Sequence, residues 1–177
     1  PSSSSAASDV YKRQGQKNES ALNYHFGTRN ELIITLLTRR SKDLDAIRAE
    51  LLAHLGDKPT TRELVQLLVE VYTSCLHTES GCDYLRIVDQ LRGWMTDWEF
   101  VSSFEDDNVH EHLRYILGIL QKQTDSQRVL GMIMLMTALT ASRAQLVSDN
   151  RQLPNSHEEY VETLTDMLTG VLLGPSS

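Results

Sequence analysis

The chain has 177 residues, 40% hydrophobic and 23% charged, with a formal net charge of -7. That suits one globular unit with a buried core, or one unit with a small appendage. Its longest apolar stretch, Gly131 to Ala141, is too short to span a bilayer, so no membrane association is expected. Two cysteines, Cys75 and Cys82, make no disulfide framework, so a reducing cytoplasm is the expected setting, without a secretory leader.

The charge is uneven. Residues 1–40 hold six cations (Lys12, Arg13, Lys17, Arg29, Arg39, Arg40) and three anions (Asp9, Glu19, Glu31), leaving the remainder at -10. A basic end on an acidic body is what nucleic-acid contact at one end requires, although a small local excess also arises by chance. The chain opens on PSSSSAAS, which is small, polar and unable to nucleate a core. SDVYKRQ comes next and resembles translated adaptor sequence, so residues 1–14 read as a non-native or disordered leader.

From Lys17 onward the chain reads almost wholly as helix, and no β alternation of useful length occurs. A short helix is expected over 17–24. A long one extends from Arg29 to His54, with Leu32, Leu36, Leu37, Leu44, Ile47, Leu51 and Leu55 at helical spacing and Gly56 as its stop. Thr60 or Thr61 caps the next, with Glu63 placed for a capping box with Thr60. A helix over about 82–92 and a broken one over about 97–122 come next. The helix from Ser126 to Val147 is apolar around most of its cylinder, and the last, from Ser156 to Leu173, carries two apolar stripes. Burial on two sides predicts a homodimer through a four-helix bundle. Met132, Leu135, Met136, Leu139, Leu164, Met167, Leu168 and Val171 are the expected interface residues. The other possibility is one large monomeric core.

In SALNYHFGTRNELI, residues 20–33, Leu22 and Phe26 share a face and anchor the short helix, leaving Asn18, Ser20, Asn23 and Tyr24 on or near the outer face. Gly27 ends it, and Thr28 caps the long helix with Glu31 three residues on. Arg29 then opposes the helix dipole, which favours an anion opposite, and exposed amides at a helix start also favour phosphate. Polar, phenolic, imidazole and cationic groups of this kind contact DNA backbone and base edges.

GQKNESALNYHFGTRNELI resembles the recognition helix and following junction of the tetracycline-repressor (TetR) family: Gly15 at the tight turn, Ser20-Ala21-Leu22, Asn23-Tyr24-His25-Phe26-Gly27, then Arg29 and Leu32. The motif covers about a tenth of the chain. The layout agrees, and residues 83–91 and 160–175 are similar less specifically. The resemblance implies an all-α, TetR-like fold. Residues 15–40 would be the remnant of a helix-turn-helix domain, and 41–177 the ligand-binding and dimerisation domain. It implies Lys17, Asn18, Ser20 and Asn23 as base or backbone contacts and Tyr24, His25 and Arg29 on phosphates. A homodimer would present two such helices about 34–36 Å apart to a palindromic DNA operator. A small-molecule effector in each body would alter that separation and release a repressor. The family's DNA domain has two further helices before Gly15; only fourteen residues precede it here, so impaired DNA binding is expected of the chain as written.

GWMTDW, residues 93–98, is core or one wall of an apolar effector pocket, formed by Trp94, Met95 and Trp98 with Tyr72, Cys75, Tyr84, His112 and Tyr115. His110 and His112 are two apart, a poor metal spacing on a helix, and Cys75 and Cys82 lack a CxxC spacing, so no metal or cofactor is expected. No GxSxG, Walker loop or GxGxxG is present, so an enzyme is not expected. The competing classes are a helical metal-dependent enzyme and a dimeric ligand-binding module that does not bind DNA.

Overall fold

The computed structural model describes residues 29–91 and 110–174, with side chains from residue 35 onward. Among these residues there are six α-helices and no strand: α1 (Arg29–His54), α2 (Thr61–Ser74), α3 (Glu79–Leu91), α4 (Glu111–Gln123), α5 (Ser126–Ser148) and α6 (His157–Leu173), with a 3-10 turn, Cys75–His77, between α2 and α3. The protein is all-α. The chain divides into two compact units, Pro1–Arg39 and Arg40–Ser177. The first contributes only the opening of α1 to the described residues; the second holds the helical body. The short helix expected over 17–24 and the part of the broken helix expected before residue 110 lie outside the described residues.

Local chemistry sets the helix ends. The expected capping box at α2 is present: Thr60 Oγ1 accepts from the Glu63 amide at 3.2 Å, and Glu63 Oε2 accepts from the Thr60 amide at 2.7 Å. Ser156 and Glu159 make the same box at α6, at 3.1 and 2.9 Å. Asp125 caps α5 by accepting from the Gln127 amide at 2.7 Å. At the end of α2, Thr73 and Ser74 donate back to the carbonyls of Val69 and Val71, at 2.8 and 2.7 Å, just where the helix tightens into the 3-10 turn. α3 begins at Glu79, earlier than the periodicity suggests. Gly81 makes that possible: a Cβ there would run into the Cys75 carbonyl and Thr78 Oγ1.

α3 lies along α5, α2 lies along α6, and α5 packs on α6, while α4 touches both α2 and α5. The core is Leu64, Val65, Leu68 and Val71 of α2, Leu85 of α3, Ile116 and Leu120 of α4, Met132 and Met136 of α5, and Leu164, Leu168 and Leu172 of α6. This corrects half of the expected dimer face. Met132, Met136, Leu164 and Leu168 are fully covered by the chain's own helices, because α3 and α6 take up one side of α5 and α2 takes up one side of α6. Leu135, Leu139 and Val171 are half-buried, and Met167 is 48% exposed.

α5 is a 23-residue helix that ends at Ser148, one residue beyond the expected end. By length and composition it is the one described helix that could cross a membrane, but 56% of the window that qualifies is buried inside the fold. α1 also departs from its simple pattern. Leu36 is exposed and Ile47 half-buried, whereas the buried face is Ser41, Leu44, Asp45 and Arg48. Three of those four are polar, and they form the nucleus of the candidate site.

Candidate functional site

Ser41, Leu44, Asp45 and Arg48 stand at i, i+3, i+4 and i+7, one face of α1. Arg48 is only 2% exposed and Asp45 6%. Their ion pair, Arg48 Nη1 to Asp45 Oδ1, is 3.2 Å long. Burying such a pair carries a large desolvation cost, so it is no evidence of stability by itself, and what matters is which further groups satisfy it.

Asp45 is well satisfied. Its Oδ2 accepts from the His112 amide at 3.2 Å and lies 2.8 Å from His112 Nδ1. Its Oδ1 accepts from the Leu113 amide at 3.2 Å. These amides belong to the first turn of α4, which its own N-cap residue, His110, does not cap through its side chain. A carboxylate 67 residues away in sequence therefore caps that helix, with the favourable sign for its dipole. Burial pushes the Asp45 carboxyl up, but the His112 side chain and amide, the Leu113 amide and Arg48 outweigh it and hold it below its ordinary range.

Arg48 is less well satisfied, since its Nε has no hydrogen-bond partner among the described residues. Around it stand two buried phenols and a buried thiol. Tyr84 stands close enough to Ser41 and to Tyr72 for each neighbour to act on a phenol, so polar groups of α1, α3 and α2 meet around Arg48. Burial raises both phenols, and the Arg48 charge lowers them without reversing the shift. Cys75, buried at the end of α2, is raised by burial despite Arg40 Nη2 at 3.7 Å from its Sγ. A protonated, buried thiol is a packing group, not a nucleophile.

Of the expected pocket residues, the structure thus gathers Tyr72, Cys75 and Tyr84, with His112 joined at the edge through Asp45. Tyr115 is not among them; it is 61% exposed, and corrects that part of the expectation. Trp94, Met95 and Trp98 lie outside the described residues. So do the expected DNA contacts Lys17, Asn18, Ser20, Asn23, Tyr24 and His25, together with the side chain of Arg29. Asp45, Arg48 and Ser41 were not expected. The one sequence signal for them is their spacing with Leu44, which puts polar residues on the apolar stripe.

The cluster offers cohesion and charge, not chemistry. Among the described residues no group of three or more His, Cys, Asp or Glu side chains is placed to hold a metal ion. A cleft lies elsewhere, between α2 and α6, lined by Arg62, Gln66, Glu70, His157, Glu158, Val161, Glu162 and Thr165. Comparison with known protein families, curated proteins and solved structures gives no match. The functional reading therefore rests on the residues themselves.

Proposed function

We propose that this protein is a ligand-responsive, DNA-binding transcriptional repressor that acts as a homodimer on a palindromic operator. The observation that carries the reading is the Asp45 cap. α1 begins at the motif resembling a DNA-reading junction, and from Ser41 onward it is fixed into the body by the Asp45–Arg48 pair and by the bonds from Asp45 to the start of α4. A displacement of α1 withdraws the carboxylate from the first turn of α4, and a rearrangement of α4 withdraws its amides from α1. An effector that favours one arrangement of α4 then biases α1, which is the differential interaction any ligand switch needs. Dimerisation is supported by the apolar surface left on the last two helices: Met167 is exposed, and Leu135, Leu139 and Val171 are half-covered.

The test is selection of bound sequences from random duplex DNA. It compares the chain as it stands with a chimera in which a helix pair from a helix-turn-helix domain precedes Gly15. The reading predicts a palindromic site bound by two copies of the chimera. A dimeric chimera with no sequence preference contradicts the DNA reading and favours a dimeric ligand-binding module.

A further inference from the structure

Far from the Asp45 cluster, two imidazoles from distant parts of the chain meet. His77 ends the 3-10 turn after α2, and His157 opens α6, with ring centres 4.6 Å apart and planes inclined at 46°. Each is held by its own local structure. The turn is closed by the Thr78 amide donating to the Cys75 carbonyl, and the Ser156–Glu159 box fixes the start of α6. Glu158 is close enough for both imidazoles to act on its carboxyl, and Arg143 is close enough to act on His157.

We propose that His77 and His157 form a binding site for one borderline divalent transition-metal ion, such as Ni2+ or Zn2+, with water filling the remaining positions. The ring spacing is the main argument. An imidazole-bound ion lies about 2.0–2.1 Å from the nitrogen, and so about 3 Å from the ring centre. Rings 4.6 Å apart leave room for one nitrogen of each to reach a single ion at roughly a right angle once the rings turn toward it, which suits square-planar or octahedral geometry. Imidazole nitrogen is the preferred donor for such ions, whereas Mg2+ and Ca2+ favour oxygen. Access is open, since His77 is exposed and His157 half-exposed. Glu158 supplies a nearby negative charge on the same turn of α6. An ion held here ties the end of α2 to the start of α6.

The experiment uses the full chain without a histidine tag. Calorimetric titration and thermal unfolding are run with NiCl2, ZnCl2 and MgCl2, on wild type, His77→Gln and His157→Gln. The expected result is one Ni2+ or Zn2+ per chain with a raised unfolding temperature, no effect of Mg2+, and a loss of at least about tenfold in affinity in each variant. Because His77 is exposed, His77→Gln keeps a measurable fold even if His157→Gln does not. No binding of Ni2+ or Zn2+ by wild type, or unchanged binding in His77→Gln, overturns the proposal.

Discussion

Arg48 and Arg143 are both buried, and the contrast between them separates a fixed part of the molecule from a part that can be released. Arg143, on α5, donates its hydrogen bonds to neutral partners. Its guanidinium donates to the Asn155 side chain, to the Asn155 carbonyl at 2.9 Å and to the Ser156 carbonyl at 3.2 Å, and lies 4.2 Å from the centre of the Tyr160 ring. All of these lie within 17 residues of it, so they form as soon as the α5–α6 connection folds. That connection also needs Asn150 in a left-handed conformation, with φ of 53°. Burial, countered in part by the Arg143 charge, raises the Tyr160 phenol to about 12. Arg48 instead has one anionic partner, which is shared with a helix start from another part of the chain, and an orphaned Nε. A cation bound by nearby backbone carbonyls has nothing to exchange. A cation bound by a shared carboxylate depends on where the carboxylate goes.

The largest expected effect arises from that difference. Asp45→Ala should cost about 3–5 kcal/mol in denaturant unfolding, because it strands the buried Arg48 charge and uncaps α4. Asp45→Leu combined with Arg48→Met should recover much of that loss, since the pair is then replaced by apolar groups of similar size. No such rescue exists for Arg143→Met, whose partners include two backbone carbonyls; about 1–3 kcal/mol is expected. Equal losses in the single and double variants at 45 and 48 would erase the contrast.

Gly81→Ala comes next. Its Cβ meets the Cys75 carbonyl, which cannot swing aside as a side chain would, so a cost of about 1–3 kcal/mol and a displaced 3-10 turn are expected in thermal unfolding and structure determination. Met167→Glu should leave chain stability within about 0.5 kcal/mol, because the residue is exposed, yet convert the proposed dimer to a monomer in sedimentation. A monomeric wild type would remove the dimer from the account. The smallest effect concerns pH. Asp45 is held below its ordinary value, so its contribution is complete above about pH 4 and is lost as pH falls through its folded value. Asp45→Asn should flatten the unfolding free energy against pH in that acid window and leave the neutral range parallel to wild type.

Much of this architecture is legible in the sequence, because local rules govern helix ends. The end of α1, the Thr60–Glu63 box and the start of α5 are set by spacing and capping chemistry within a few residues. What spacing cannot say is which neighbour covers an apolar face. Met132 and Leu168 looked available to a partner because their helices are apolar on more than one side, and only the packing of α3 and α2 shows them covered from within. The Asp45 cap is harder still to read. In SKDLDAIRAE its carboxylate is one of several on a charged helix, and its partners are backbone amides at 112 and 113, which carry no side-chain signature at all.

The cap is best tested by amide hydrogen exchange in wild type and Asp45→Asn. The account predicts that the amides of His112 and Leu113 are protected in wild type and exchange faster by about tenfold or more in the variant, while the middle of α5 keeps its protection. Unchanged exchange at 112 and 113 would contradict it, since the carboxylate would then not be what joins α1 to α4.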